Sequence, residues 1–493
     1  MRLFIFIFSL SISLNFYGQT GYGNNWVLGY NTTETSGTIL DFNQAQVSIF
    51  PVQKDMFLEG SIAVMSDSIG NLLFYSNGCF IANGKHNKII NSDSIGLGKL
   101  ETSFCMMGGN PMTQGIIALP GPFQNDLYYL FYTDIQSPYE FPTGLYFPLA
   151  PLNLYYCIID MNKNNGEGEI VIKNQILVSD TLSRGMIEAT KHENGHDWWI
   201  IIPKSHSNCY YTIRLSKNGV DTSFLQCTGK VWGDNDATGQ VVFSPNGRKY
   251  VRSNFFNGLN IFDFDFKTGL LSSPINFEFE HDTFYYSGAS FSSNSRFLYI
   301  TAFDKIFQFD IKAENISASK VLIGELVFPP NISTITRFNQ SILAPDGKIY
   351  IGGTSTYTYL HVIHNPNCKG TDCNLEQYAL ETPSYNVYGM PNMPHYLEWN
   401  EADTCDSTVN IIVNSSLDEF VVFPNPFREE VHVEGNFPFS ILVFDSFGKQ
   451  VYSKEFETKS GSFSLDNYSN GLYSYQIIKK NGERKIGMLI KIE

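Results

Sequence analysis

Apolar and polar residues alternate with period two along most of the chain, and short turn signals cut the alternating runs at regular intervals. One unit recurs with drift: SIAVMSDSIGNLLFYSNG (61–78), QVVFSPNGRKYVRS (240–253), GASFSSNSRFLYIT (288–301) and QSILAPDGKIYIGG (340–353). In each copy an Asn-Gly, Asp-Gly or related pair sits between alternating apolar residues, which predicts a β-hairpin because such pairs accept the positive φ of a tight turn. Three of these hairpins are followed by a further strand, at 258–266, 305–311 and 358–364. Two more divergent copies are 115–134 with 153–174 and 186–204 with 209–220. Hairpins therefore open near residues 61, 115, 186, 240, 288 and 340, and the later copies recur about every 50 residues, the spacing of four-stranded propeller blades. Segments 24–31 and 37–42 can join 388–399 to complete a seventh blade, which closes the ring and removes exposed sheet edges. The expectation is an all-β propeller over residues 21–400 with seven blades, six or eight being left open by the drift of the repeat. Helical periodicity is essentially absent.

Residues 401–417 read as a polar linker. Beyond them, 418–493 carries a fresh set of six or seven short strands with turns at 447–449 and 481–483, the pattern of a small Ig-like β-sandwich. At the other end, residues 1–20 read as a signal peptide. Arg2 supplies the positive charge and Leu3 to Leu14 an apolar run too short to span a bilayer, with cleavage expected between Gly18 and Gly21. No later segment is long and apolar enough to be a transmembrane anchor, so the mature chain is expected to be exported.

Composition sharpens this picture. Only 16% of residues are charged, against ~25% in ordinary soluble proteins, while 15% are aromatic, which suits strands packed through large rings. The net charge of −15 argues against a nucleic-acid partner, because phosphate binding needs a basic surface. Eight cysteines are too few for a disulfide scaffold in 493 residues but can pair in an exported chain. The best local pair is Cys368 with Cys373, across a short loop containing Gly370. A zinc site there would have to recruit His361 and His364, and a zinc site ordinarily offers a second regularly spaced pair, so a disulfide is the better reading. The pairing of Cys79, Cys105, Cys157, Cys209, Cys227 and Cys405 is left open by the sequence.

Three patterns invite chemistry. His192-Glu193-Asn194-Gly195-His196 fits H-E-x-x-H, but that motif needs a helix to place both histidines on one face, and Asn194-Gly195 followed by a strand predicts a hairpin turn instead. Asp234 to Gly239 imitates the start of a calcium loop, yet the twelfth position is Pro245 rather than a bidentate Glu, so a turn satisfied by its own Asp and Asn side chains is the better reading and a weak calcium site in a propeller loop the alternative. Trp198, Trp199, Trp232 and Trp399 are candidate stacking platforms for sugars, with blade packing as the competing use. No catalytic, cofactor-binding or metal-binding residue is assigned.

The C-terminal unit resembles the type A sorting domain of the bacterial type IX secretion system. The features that carry the resemblance are Pro424-Asn425-Pro426 at its start, Asp445 with Gly448 in the central DSFGK turn, Gly471 and Tyr473 in the penultimate strand, and a last strand bearing Lys485. The resemblance implies recognition by the type IX machinery and its sortase, with passage across the outer membrane to the cell surface or the medium. Upstream, stretches such as LYYCIIDM (154–161), HNPNCKGTDCN (364–374) and GMPNMPHY (389–396) resemble secreted propellers that travel with such tails. The function expected is a non-catalytic binding module for an extracellular protein or glycan. The alternative is an extracellular hydrolase or lyase whose active site is built from loops on the propeller face. The oligomeric state is not legible.

Overall fold

The computed structural model describes residues 21–492 apart from 31–35, 45, 125, 137–148, 234–238, 255, 278–286, 329–335, 397–404, 406–420, 425–426, 436–437, 446–448 and 480–483. The expected signal peptide, most of the calcium-like loop, Trp399, Asn425, Pro426 and Gly448 lie outside the described residues. The chain divides into two compact units, 1–405 and 406–493.

In the first unit, seven antiparallel sheets follow one another along the described residues: 25–53, 63–83, 116–179, 188–227, 239–277, 287–325 and 338–386. The first two have three strands and the other five have four, each a simple meander in which neighbours in sequence are neighbours in the sheet. This is a β-propeller. Apolar clusters form between successive sheets: the second packs on the third through Phe74 and Tyr128, the fourth on the fifth through Trp199 and Tyr250, and the sixth on the seventh through Tyr299 and Ile351. The first sheet packs through Trp26 and Leu40 on both the second (Val64, Tyr75) and the seventh (Tyr350, Leu360), so the ring is closed. Thr38 and Ser384 meet at 2.7 Å across that last junction.

Segment 387–396 occupies the axis beside the first blade rather than joining it as a regular strand. Gly389 N–H donates to Glu59 O and Asn392 N–H to Ile62 O, each at 2.7 Å, while Tyr388 O accepts from Asn339 and Met390 N–H donates to the Gln340 side chain. It thus fills the place between the inner strands of the seventh and second blades. Side-chain amides do a similar job further round. Innermost strands splay around an axis and cannot form ladders with one another, yet their buried backbone groups need partners. Gln114 accepts from Val241 N–H (2.8 Å) and donates to Val241 O (2.9 Å), Asn392 Oδ1 (3.0 Å) and Glu188 Oε2 (3.1 Å). Gln240 links Ala289 N–H and Ser341 N–H (both 3.0 Å) with Ser341 O (2.8 Å).

The turn between the first two strands repeats with the same chemistry. Asn194, Asn246, Asn294 and Asp346 each accept, through the side chain, the N–H two residues on. The intervening residue is left-handed, as at Gly195 (φ 73°), Gly247 (φ 69°) and Gly347 (φ 78°). An Asx residue followed by Gly satisfies both demands of such a turn. These turns all lie at one end of the ring.

Two features differ from the sequence expectation. A short helix, Glu101–Met107, stands where no helix is expected; it belongs to the insert after the second blade and is tied back by the Cys79–Cys105 disulfide. Cys368 bonds Cys405 rather than Cys373, Cys209 bonds Cys227, and Cys157 and Cys373 are buried free thiols. The physical reason lies in the 3₁₀ turn Gly370–Cys373, which directs Cys373 into the core between the sixth and seventh blades. There, burial pushes its thiol up to about 11.

The second unit is a β-sandwich. A three-stranded sheet built from Val421–Phe423, Glu430–Glu434 and Ser460–Ser464 accompanies a four-stranded one built from Phe439–Phe444, Gln450–Phe456, Gly471–Lys479 and Arg484–Lys491. Val431, Ile441, Phe463 and Ile477 belong to its core. Asp445 closes a hairpin by accepting Lys449 N–H at 3.0 Å. Tyr473 donates to Ser469 O. Gly471 opens its strand at φ 145°, and Lys485 sits opposite Ile477 in the final strand pair. Exposed Pro424 follows the first strand.

Candidate functional site

The first-to-second-strand turns of the second to fifth blades converge around an open funnel of about 750 Å³ at the mouth of the axis. Residues 67–68, 120–124 and 245–247 with His192, Gly195 and His196 form its wall, and His395 and Tyr396 of the axial segment form its floor. Tyr396 donates to Ala118 O at 3.2 Å and packs edge-on against Trp198, so the floor is fastened to the third and fourth blades.

The wall is chemically divided. On the second and third blades stand Asp67, Asp126 and Tyr128, with Tyr22 beside them; burial first, and then the two aspartates, raise Tyr22 above the usual phenol value, and burial, Tyr22 and the same aspartates raise Tyr128. On the fourth blade stand Lys191, His192 and His196. Lys191 donates to His196 O at 3.3 Å and its ammonium lies 3.6 Å from the centroid of the Trp198 ring. Burial pulls it down to about 8, with Asp197 acting weakly the other way. Asp197 itself is turned towards Arg214, which donates to it at 2.6 and 3.2 Å. At the rim, Phe123 is 66% exposed and packs at a tilt against His196, with centroids 4.2 Å apart. On the floor, burial lowers His395 to about 4, so its ring is neutral at physiological pH.

Beneath the floor lies a small axial cavity of about 20 Å³ touched by Gln114, Glu188, Asn392 and His395. Burial raises Glu188 well above an ordinary carboxylate, outweighing the bonds it accepts from Ala189 N–H and Gln114. Glu188 is therefore a buried acid bonded into the hub.

The H-E-x-x-H stretch is the turn between strands Glu188–Lys191 and Trp198–Pro203. Gly195 N–H donates to His192 O, and His192 Nδ1 accepts Asn194 N–H at 3.0 Å, so that imidazole nitrogen is committed to the turn. Among the described residues no group of three or more His, Cys, Asp or Glu side chains is placed to hold a metal ion. His361 is packed against Phe338 and Tyr378, and His364 pairs with Glu376 at 2.8 Å, so neither is turned to a cysteine-based zinc site. The tryptophan platforms fail for a simpler reason: Trp198, Trp199 and Trp232 are 0–3% exposed, with indole N–H groups of the first two donating to Pro120 O and Phe266 O. An exposed ring at the funnel is that of Phe123, and neither it nor Lys191 is singled out by the sequence. Their positions in the PGPF and TKHENGH turns are legible there, but the convergence of four turns is not.

Residues 421–491 match the family model of the secretion system C-terminal sorting domain. No curated protein matches the chain. Among solved structures, a protein from Lactobacillus plantarum is 14% identical, covers 75% of this chain and 99% of its own, and superposes with a TM-score of 0.42. A putative 6-phosphogluconolactonase from Bacteroides uniformis is also 14% identical, over 75% and 98% of the two chains, at a TM-score of 0.42. PorZ, a surface component of the type IX secretion system of Porphyromonas gingivalis, is 13% identical over 93% and 68%, at 0.30. Similarity this low transfers no residue, ligand or activity. The tail does carry an address: it marks the chain for export across the outer membrane by type IX secretion. Among the described residues no helix is long and apolar enough to cross a membrane.

Proposed function

We propose that this exported ring is a binding module whose ligand site is the funnel at its turn end, delivered by residues 1–20 acting as a signal peptide and then by the sorting tail. The observation that carries the proposal is the convergence of four consecutive turns on one open, chemically divided concavity, within the roughly 300–1,000 Å³ typical of small-molecule sites. Its polar side chains are largely engaged in building turns: Asp67 accepts from Ile69 N–H, Asn71 N–H and the Asn71 amide, and Asp126 from Asn162. Groups held in that way favour steady recognition over proton transfer. The experiment is binding of the full chain to extracellular polysaccharides and surface proteins, with Ser68→Trp, a bulky ring added on the wall, as the blocked form. Binding lost in that variant supports the site; binding undiminished overturns it.

A second reading, an extracellular hydrolase or lyase, is favoured by the lowered Lys191 and His395 at one mouth. It requires that bound ligand be converted on prolonged incubation, whereas the binding reading requires that it be recovered intact.

A further inference from the structure

Lys191 is a half-buried cation in an acidic protein, and its surroundings leave its charge poorly balanced. One carbonyl and one indole face are its close partners, at 3.3 and 3.6 Å. The neighbouring carboxylate, Asp197, is held by Arg214. The other titratable groups lining the funnel are His192 and His196 on its own hairpin, Asp126 and Tyr128 on the third blade, Asp67 on the second with Tyr22 beside it, and His395 on the floor. An ammonium removed from water without a close counter-ion is held below its ordinary pKa, and an anion arriving in the funnel would restore the balance.

Resting on the funnel as the ligand site, we infer that it receives the carboxylate of an acidic saccharide, a uronic acid unit, with Lys191 taking the carboxylate and Asp126 and Asp67 accepting from sugar hydroxyls. The exposed face of Phe123 offers the apolar side of a pyranose a place to lie. A saccharide fits better than a peptide, because the funnel wall is made of closed turns, and strand addition requires a free sheet edge.

Calorimetry on the full chain tests this with oligogalacturonate, oligoglucuronate and oligomannuronate, their carboxyl-reduced neutral counterparts, and a peptide with a free C-terminus. At least one acidic oligomer should bind ten-fold or more tighter than its neutral counterpart at pH 6.5. That preference should fall above pH about 8, by on the order of tenfold per unit, as the free lysine loses its proton. Lys191→Gln should abolish the preference, so that acidic and neutral oligomers bind that variant alike; Lys191→Arg should keep it and remove the decline above pH 8. Equal affinity for acidic and neutral forms overturns the charge assignment while leaving the funnel reading standing. Binding of no saccharide, or of the peptide alone, overturns the saccharide assignment, and Ser68→Trp then decides separately whether the funnel is the site.

Discussion

If side-chain amides replace the missing ladders at the axis, Gln114→Leu is the change that shows it. Leucine keeps nearly the volume of glutamine but supplies neither donor nor acceptor. Val241 N–H and C=O lose bonds of 2.8 and 2.9 Å, and Asn392 and Glu188 lose a donor at 3.0 and 3.1 Å. Each buried polar group left without a partner costs about 1–3 kcal/mol, and the two on the Val241 backbone set the scale, so the ring should lose about 3 kcal/mol. With an m-value of roughly 2–3 kcal/mol/M in urea, that moves the midpoint down by about 1 M. Tryptophan fluorescence reads this transition for the ring alone, because all 5 tryptophans precede residue 400. Gln175→Leu is the control: its amide donates to Lys173 O at 3.1 Å in an exposed position, where loss costs little. If the two variants shift the midpoint equally, the hub amides do not hold the blades, and apolar packing between the sheets holds the ring without them.

Glu188 has a raised pKa in the fold, so its contribution is fully present below the unfolded value of 4.5 and is lost as pH rises towards its folded pKa. Urea midpoints should therefore decline with rising pH in that window, and Glu188→Gln should flatten the decline; identical pH slopes would show that the carboxyl is not buried at the hub. His395 acts at the other end, its contribution fading as pH falls from 6.5 towards about 4, and His395→Gln should remove that acid limb from the same urea titration. Non-reducing peptide mapping should recover Cys368 joined to Cys405, and Cys157 and Cys373 should react with a thiol reagent only in denaturant; a Cys368–Cys373 peptide would refute the pairing. In the sandwich, Lys491 donates to Leu465 O and Tyr468 O at 2.9 and 2.8 Å, so Lys491→Met should weaken that unit by about 2 kcal/mol, seen as faster amide exchange across 460–491 of the full chain. Deleting 406–493 should leave the fluorescence melt of the ring in place and retain the protein inside the outer membrane, as read by cell fractionation; appearance in the medium would refute the sorting role.

The hairpins at 240–253, 288–301 and 340–353 are legible in the sequence because alternation and an Asx turn are local properties, decided within a dozen residues. The sandwich tail is legible for the same reason, its strands and turns following one another in an order that a family model also detects. The short helix 101–107 is not, since seven residues bounded by Leu100 and Gly108 carry too little periodicity to outweigh their context.

The sequence by itself determined the repeat, the turn chemistry and the export address, because each depends on neighbours along the chain. Only the tertiary structure decided which cysteine meets Cys368, that three tryptophans are walled in between blades, and that Lys191 faces a funnel. Those outcomes depend on which surfaces meet when the ring closes and on how far water is excluded there, and residues far apart in sequence settle both.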